Sequence, residues 1–442
     1  MPVQITVGPP VITINQGSTF MVTDQRGEID PESEQGVFAG DTRFVSFYQL
    51  YINGARWQLL SSGAVSYYAA RLYFTSASVA TEHGDIRRQV LGLRVTRAIG
   101  DGIHEDLDIT NYALHPVRFV LEIALRSDFA DLFEVKSHKL VRRGRVSTKW
   151  DEAKSELVNT YTHEDFKRRL VYKLLRSDAP SQYANGRITF EVALQPGESW
   201  HTCAFFILAE GDHVREPVFG CDAVQGADTK LDRLQAEWRA LATRLSSANE
   251  DVYRAYTQSV EDIGALRLYD LDFAPDVWLP AAGVPWFVTV FGRDSLIVSL
   301  QNMMVHAPLA LGALKKLAQY QAESTDDYRD AEPGKIPHEL RFGELAHFKK
   351  IPHTPYYGTA DATILYLITL HEAWKWLGDP AILHEYRQVA LACLEWIDRY
   401  GDLDGDGFQE YKTRASVGYG LGYENMGWKD AGDAVVYPDG SQ

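Results

Sequence analysis

Three stretches in the second half of the chain set carboxylates beside aromatic rings. The first is Trp286-Phe-Val-Thr-Val-Phe291-Gly292-Arg293-Asp294-Ser295, where an Arg-Asp pair follows a glycine at the mouth of an apolar helix start. Arginine offers a rigid fork of donors and aspartate a pair of acceptors, a combination suited to the vicinal hydroxyls of a sugar. The second is Tyr356-Tyr357-Gly358-Thr359-Ala360-Asp361-Ala362-Thr363, with Asp361 opening a helix. The third runs from Asp406-Gly-Phe-Gln-Glu410-Tyr411 to Tyr423-Glu424-Asn425-Met426-Gly427-Trp428-Lys429-Asp430-Ala-Gly-Asp433. Glycoside cleavage needs a flat apolar face for the ring and an acid whose pKa burial can raise, and Trp428 beside these carboxylates would serve both needs. A plainer reading stands beside each stretch. Asp294 can be a helix N-terminal residue with Arg293 as its surface partner, Asp361 a first-turn carboxylate favouring the helix dipole, and Trp428 an anchor for a solvated acidic loop.

Other matches fail on spacing. His338-Glu339 and His371-Glu372 begin like zinc-protease helices, but Phe342 and Lys375 occupy the positions of the second histidine. Gly334-Lys335 is followed by Ile336 and lacks the upstream glycine of a phosphate loop. Asp402-Leu-Asp404-Gly-Asp406-Gly407 copies the start of a calcium loop, yet Thr413 stands where a bidentate Glu is required. That excludes a standard EF-hand and leaves open a looser calcium site or a turn of Asp side chains bonding their own backbone. No metal and no cofactor is assigned. The three cysteines, Cys203, Cys221 and Cys393, show no paired spacing and are expected as reduced, mostly buried thiols.

These residues need elements to carry them, and the chain changes period midway. Up to about Cys203 apolar residues alternate, as at Val117, Phe119, Leu121, Ile123 and Leu125 and at Ile188, Phe190, Val192 and Leu194. Turn signals at Asn53-Gly54, Gly100-Asp101-Gly102 and Asn185-Gly186 separate the runs. Many short-connected strands predict a large antiparallel sandwich. Leu231, Leu234, Trp238, Leu241 and Leu245 then step by three and four, which predicts a linker helix. Helices are expected at 250–266, 293–304, 308–322, 359–377 and 380–400, the last capped by Asp379 and closed by Gly401. Their long connecting loops suggest function at the loop end.

The 442 residues set a prior of about three domains. Apolar residues at 45% and charged residues at 24% exclude wholesale disorder, and a net charge of −16 repels phosphate backbones and anionic membranes. Nucleic acid and membrane are therefore not expected partners. The first 16 residues lack the pattern of a signal peptide, so the cytoplasm is the default expectation.

The chain resembles the bacterial amylo-alpha-1,6-glucosidase family of glycogen-debranching-enzyme-like proteins, themselves similar to glucoamylases, trehalases and mannosylglycerate-type glycosidases. Gly36-Val-Phe-Ala-Gly-Asp-Thr-Arg-Phe44 resembles the N-terminal β domain of these proteins. Phe291–Ile297, Gly358–Thr363, Asp404–Phe408 and Gly427–Asp433 resemble successive loops of their six-hairpin (α/α)6 barrel. The resemblance implies a multidomain protein: a β-sandwich over 1–220, a linker helix over 221–249, and the first part of an (α/α)6 toroid over 250–442. It implies an inverting glycoside hydrolase of α-glucosidic or related bonds, with an oligosaccharide or polysaccharide substrate. Arg293 and Asp294 match the pair that grips sugar hydroxyls, and Trp286, Asp361, Glu410, Trp428 and Lys429 join them as substrate-binding candidates. The Trp-x-Asp form of the family places the general acid at Asp430, and an alternative alignment places it at Asp433.

Against a twelve-helix barrel only about five helices are counted, and the family's general base has no counterpart. Glu339, Glu410 and Glu424 could be asked to substitute, with no spacing to select among them. The expectation is a truncated chain, a fragment, or a toroid completed by a second polypeptide, weak or inactive alone. A non-catalytic carbohydrate-binding protein and a disaccharide phosphorylase are the alternative functions.

Overall fold

The computed structural model describes residues 10–81, 84–221, 229–269, 278–410, 413 and 426–428. The chain divides into two compact units, Met1–Leu234 and Gln235–Gln442.

The N-terminal unit is built from antiparallel sheets of four, nine and five strands. Turn chemistry sets its hairpins. Asn53 and Gly54 have φ of 46° and 75°, and Asn185 and Gly186 have 53° and 75°, the doubly positive pairs that a two-residue hairpin turn demands. The alternating runs become the strands Val117–Arg126 and Arg187–Leu194, paired so that Leu121 faces Phe190. The alternating residues Val117, Phe119, Leu121, Ile123 and Leu125 and Ile188, Phe190, Val192 and Leu194 are all buried.

Between the nine-stranded and five-stranded sheets lies an aromatic core. Phe190 meets Trp200 at 5.2 Å and Phe206 meets Tyr172 at 4.9 Å. The core also encloses a charge pair that alternation did not foretell: Arg97 Nε lies 2.6 Å from Glu105 Oε2, with the two side chains 3% and 0% exposed. Arg97 also donates to the Gly27 carbonyl and stacks over the Tyr48 ring, while the Tyr48 hydroxyl donates to Glu105, so the pair is buried with its hydrogen bonds made.

One expectation is corrected here. Cys203 and Cys221 are joined in a disulfide across 18 residues, and Cys393 alone is the buried free thiol. Cys203 sits on strand Ser199–Glu210, and the chain beyond that strand returns over the sheet, bonding Val218 N–H to the Gly100 carbonyl. This return is tertiary and leaves no local spacing signal.

The predicted linker helix is Lys230–Leu241. Leu231 packs with Tyr68, Ala98 and Phe219 in the N-terminal unit, whereas Trp238 packs with Ala242 and Val260 in the C-terminal unit. Leu241 is exposed and Leu245 lies beyond the helix end.

The C-terminal unit is helical. Asn249 caps Glu250–Ala265 by accepting from the N–H groups of Asp251 and Val252. The 293–304 expectation divides at Asn302 into Gly292–Gln301 and Met303–His306. Leu309–Gln319 and Asp361–Leu377 follow, the latter ended by Gly378 at φ 69°. Asp379 accepts from Ala381 N–H, although the N-cap position itself is held by Pro380, and the 380–400 helix breaks at Tyr386 into Ala381–Glu385 and Arg387–Trp396, which runs on as a π turn, Ile397–Gly401. Gly401 therefore lies inside the last turn and does not close a helix from outside. Asp361–Leu377 is central, packing on Gly292–Gln301, Leu309–Gln319 and Arg387–Trp396. Its buried Tyr366 donates to the Leu314 carbonyl at 3.1 Å.

Candidate functional site

Two helix starts carry the first two sugar-type stretches, and a platform of extended loops fixes both. Gly292 N–H donates to the His338 carbonyl, Leu340 N–H to Val290, His338 N–H to Tyr356, and Tyr356 N–H to Glu339. The segments around 290, 338 and 356 thus lie side by side. Thr363 Oγ1 accepts from Ile336 N–H at 3.0 Å, tying the helix that starts at Asp361 to the same platform. The approach at Gly292 is so close that a Cβ there would lie 2.1 Å from the Pro337 carbonyl oxygen, which explains the glycine before the Arg-Asp pair.

This packing brings Arg293 to Asp361. Their Nη1 and Oδ2 atoms are 3.3 Å apart, with side chains 17% and 26% exposed. Thr359 Oγ1 donates to the other Asp361 oxygen at 2.5 Å. Asp294 is half-buried in the first turn of its helix. Trp286 is half-buried too, and its carbonyl accepts from Arg341 Nη1 at 3.1 Å. From the third stretch, the Met426 carbonyl accepts from Ala360 N–H at 2.9 Å, one residue before Asp361. Trp428, two residues on, is 67% exposed. Lys429, Asp430 and Asp433 lie outside the described residues, as does Glu424. Glu410 lies at the acidic turn, where its carboxylate accepts from Leu403 N–H and joins Asp402, Asp404 and Asp406 with ligand atoms within 4.8 Å of one another. Asp402 accepts from Gly405 and Gly407 N–H groups, and Asp406 from Phe408 N–H, the self-bonded turn foreseen as one alternative.

The platform is held by buried charges, of which the sequence offered Glu339 only as a substitute base and Lys335 only in a failed phosphate-loop match. Glu339 is 1% exposed and pairs with His353 Nε2 at 2.9 Å and Arg341 Nη2 at 3.2 Å. Burial alone would raise its pKa, but His353 and Arg341 hold the carboxyl far below the usual carboxylate range. Such a carboxylate is a poor base. Lys335, fully buried, donates to the Asp330 carbonyl and lies 3.0 Å from Met426 Sδ, which fixes the Met426 segment from below. Tyr356 donates to Asp330 Oδ2 at 2.6 Å and Trp396 to Glu332 Oε2 at 2.8 Å. For Asp330, Glu332, Arg341 and His353 the only signal was the density of ionisable and aromatic side chains over 328–357 without helical period. A cleft of about 590 Å³ opens beside the platform, lined by Tyr320, Asp326, Arg329, Arg341, Phe342 and Lys349 among others.

Residues 14–204 match the family described as the N-terminal domain of some glycogen debranching enzymes. No curated protein matches the sequence. Among solved structures, a protein assigned as a kojibiose phosphorylase, from the human microbiome, is 9% identical with a TM-score of 0.56, and the match covers 89% of this chain. This chain spans 57% of that protein's length, and at such identity the likeness is one of fold. A protein assigned as an aldose 1-epimerase, from Escherichia coli K12, is 11% identical over 46% of this chain and 99% of its own, with a TM-score of 0.27. A galactose mutarotase related enzyme from Lactobacillus acidophilus is 10% identical over 47% of this chain and 100% of its own, also at 0.27. No helix among the described residues is long and apolar enough to cross a membrane.

Proposed function

We propose that the chain belongs to a carbohydrate-processing enzyme, a glycoside hydrolase of the amylo-alpha-1,6-glucosidase type that acts on α-glucosidic or related bonds with inversion, and that this chain alone is weak or inactive for want of the general base. The observation that carries the reading is the half-buried Arg293–Asp361 pair with the Met426 carbonyl bonded to the neighbouring Ala360, because it sets a donor-acceptor fork next to the segment that leads to Trp428. The match of residues 14–204 to a debranching-enzyme domain supports the same substrate class.

In this reading Arg293, Asp294 and Asp361 bind the hydroxyls of one ring, Trp428 covers its apolar face, and Asp430 protonates the leaving oxygen, with Asp433 as the alternative acid. Inversion requires a second carboxylate about 6.5–9.5 Å away to activate water on the opposite face. Glu339 is unsuited to that task, since Arg341 and His353 beside it hold its pKa far below the usual carboxylate range. In this reading the β-sandwich spans 1–220, a linker helix 221–249, and the first part of an (α/α)6 toroid 250–442.

Phosphorolysis is the second reading, favoured by the fold likeness to the kojibiose phosphorylase along most of the chain. One assay separates the two. Purified chain is incubated with maltooligosaccharides and a branched α-glucan, with and without inorganic phosphate. Free glucose released without phosphate, and abolished by Asp430→Asn, supports hydrolysis; sugar phosphate released only with phosphate replaces it by the second reading. Products unaffected by both Asp430→Asn and Asp433→Asn would overturn the acid assignment.

A further inference from the structure

Away from the helical unit, strand Gly102–Asn111 carries a polar pattern that a sheet has no use for. Alternation puts Glu105 on the face toward the aromatic core and His104 and Asp106 on the other. That other face should be wet, yet both His104 and Asp106 are 0% exposed. Neither ring nitrogen of His104 and neither carboxylate oxygen of Asp106 has a hydrogen-bond partner. Their nearest polar contacts are to each other at 3.3 Å and from His201 Nε2 to Asp106 at 3.7 Å, neither of which makes a hydrogen bond, and burial without a made bond is costly, so their retention asks for a ligand.

The neighbours are sulfurs. Cys203 stands directly opposite Asp106 in the register of strand Ser199–Glu210, and is itself 0% exposed. Cys221 arrives on the returning segment, which Pro217 bridges to Asp101 and Phe219 anchors against Tyr68, Ala98 and Leu231. One potential ligand atom from each of His104, Asp106, Cys203 and Cys221 lies within 4.8 Å of all the others. His104 Nε2 and Asp106 Oδ1 are 3.3 Å apart, matching the edge of about 3.3 Å that a tetrahedron with metal–ligand bonds of about 2.0–2.1 Å requires.

We infer that His104, Asp106, Cys203 and Cys221 form a structural Zn²⁺ site in the reduced chain, whose two thiolates are the same sulfurs that the disulfide joins when the chain is oxidised. Two thiolates, an imidazole and a carboxylate are a zinc ligand set, and a closed four-ligand site is of the structural kind. Outer partners are present as well. His201 lies with Nε2 3.7 Å from Asp106 Oδ1 and Nδ1 2.8 Å from Asp108 Oδ1, which steers the Asp106 carboxylate, and the His104 ring stands edge-on to Phe205 at 5.5 Å. Converting the disulfide into the site takes two electrons. A trialkylphosphine attacks one sulfur, the S–S bond breaks, and water supplies the oxygen of the phosphine oxide and the two thiol protons. Zn²⁺ then displaces those protons, and the sulfurs move apart to about 3.8 Å, the edge set by Zn–S bonds of about 2.3 Å.

The test is cobalt titration of the full chain, reduced with a phosphine under nitrogen, followed by displacement with Zn²⁺. One equivalent of Co²⁺ should produce thiolate-to-metal charge transfer and the intense visible bands of tetrahedral cobalt, and Zn²⁺ should erase them. The unreduced chain should give neither. Cys203→Ser and Cys221→Ser should each abolish the charge-transfer signal or reduce it by half, Cys393→Ser should leave it intact, and His201→Ala should weaken binding at least 10-fold. Circular dichroism of each variant checks that the sheets persist. If the reduced wild type shows no cobalt band, or if the band survives in the folded Cys203→Ser/Cys221→Ser double variant, the site does not exist.

Discussion

Replacing Glu339 by alanine probes the loop platform that holds the two helix starts together. The side chain is 2% exposed and its two oxygens meet His353 at 2.9 Å and Arg341 at 3.2 Å. Removing one partner from a buried pair strands the other charges, at about 3–5 kcal/mol. For a unit of some 200 residues, each kcal/mol moves the melting midpoint by about 2–4 °C, so the variant should melt roughly 6–20 °C lower. The exposed pair Arg254–Glu250, at 3.0 Å along one helix, is the control, and Glu250→Ala should change little. Thermal melts followed by tryptophan fluorescence give both values. The pH dependence has a definite sign. Folding depresses the Glu339 pKa below its ordinary value of 4.5, so the stability it contributes is complete above that value. It is lost as pH falls through the folded value, and the gap between wild type and Glu339→Ala should narrow in acid. A variant that melts with the wild type at pH 7, or a gap that widens as pH falls, would refute the role assigned to Glu339.

Gly292→Ala should destabilise the helical unit by about 1–3 kcal/mol, because the new methyl lands on the Pro337 carbonyl; Gly63→Ala, whose Cβ meets nothing within 4 Å, serves as the comparison in urea melts. Arg97→Met should cost the N-terminal unit about 3–5 kcal/mol by leaving Glu105 buried without its cation, and adding Glu105→Leu should recover much of that loss in denaturant midpoints. Phosphine reduction without added metal should lower the stability of the N-terminal unit, and Zn²⁺ should restore it in proportion to the logarithm of its concentration, read as a rise in melting temperature.

Elements with a strong local signal were legible from the residues alone. Strand Val117–Arg126 follows from five alternating apolar residues, and the turns at Asn53-Gly54 and Asn185-Gly186 from the need for positive φ. Helix ends were less so: Tyr386 and Asn302 interrupt runs whose apolar spacing continues through them, since spacing reports the buried face and not the hydrogen-bond ladder. The pairing of Arg293 with Asp361 joins residues 68 apart, and a sequence offers each separately as a candidate without the distance between them. Buried charge was hidden for a related reason. Glu105 and Arg97 sit in strands, and Glu339, Arg341 and Lys335 in loops, where polarity is ordinarily read as exposure; only the tertiary partner makes their burial affordable. The same holds for Cys203 and Cys221, whose meeting depends on a chain reversal over the sheet.

Calorimetric titration of maltooligosaccharides into the full chain tests the central claim most directly, which is that the corner formed by Arg293 and Asp361 holds a sugar ring. Wild type should bind with measurable heat, while Arg293→Ala and Asp361→Ala, each verified as folded by circular dichroism, should lose affinity at least 10-fold. Equal affinity in all three proteins, or no binding by the wild type, would contradict it.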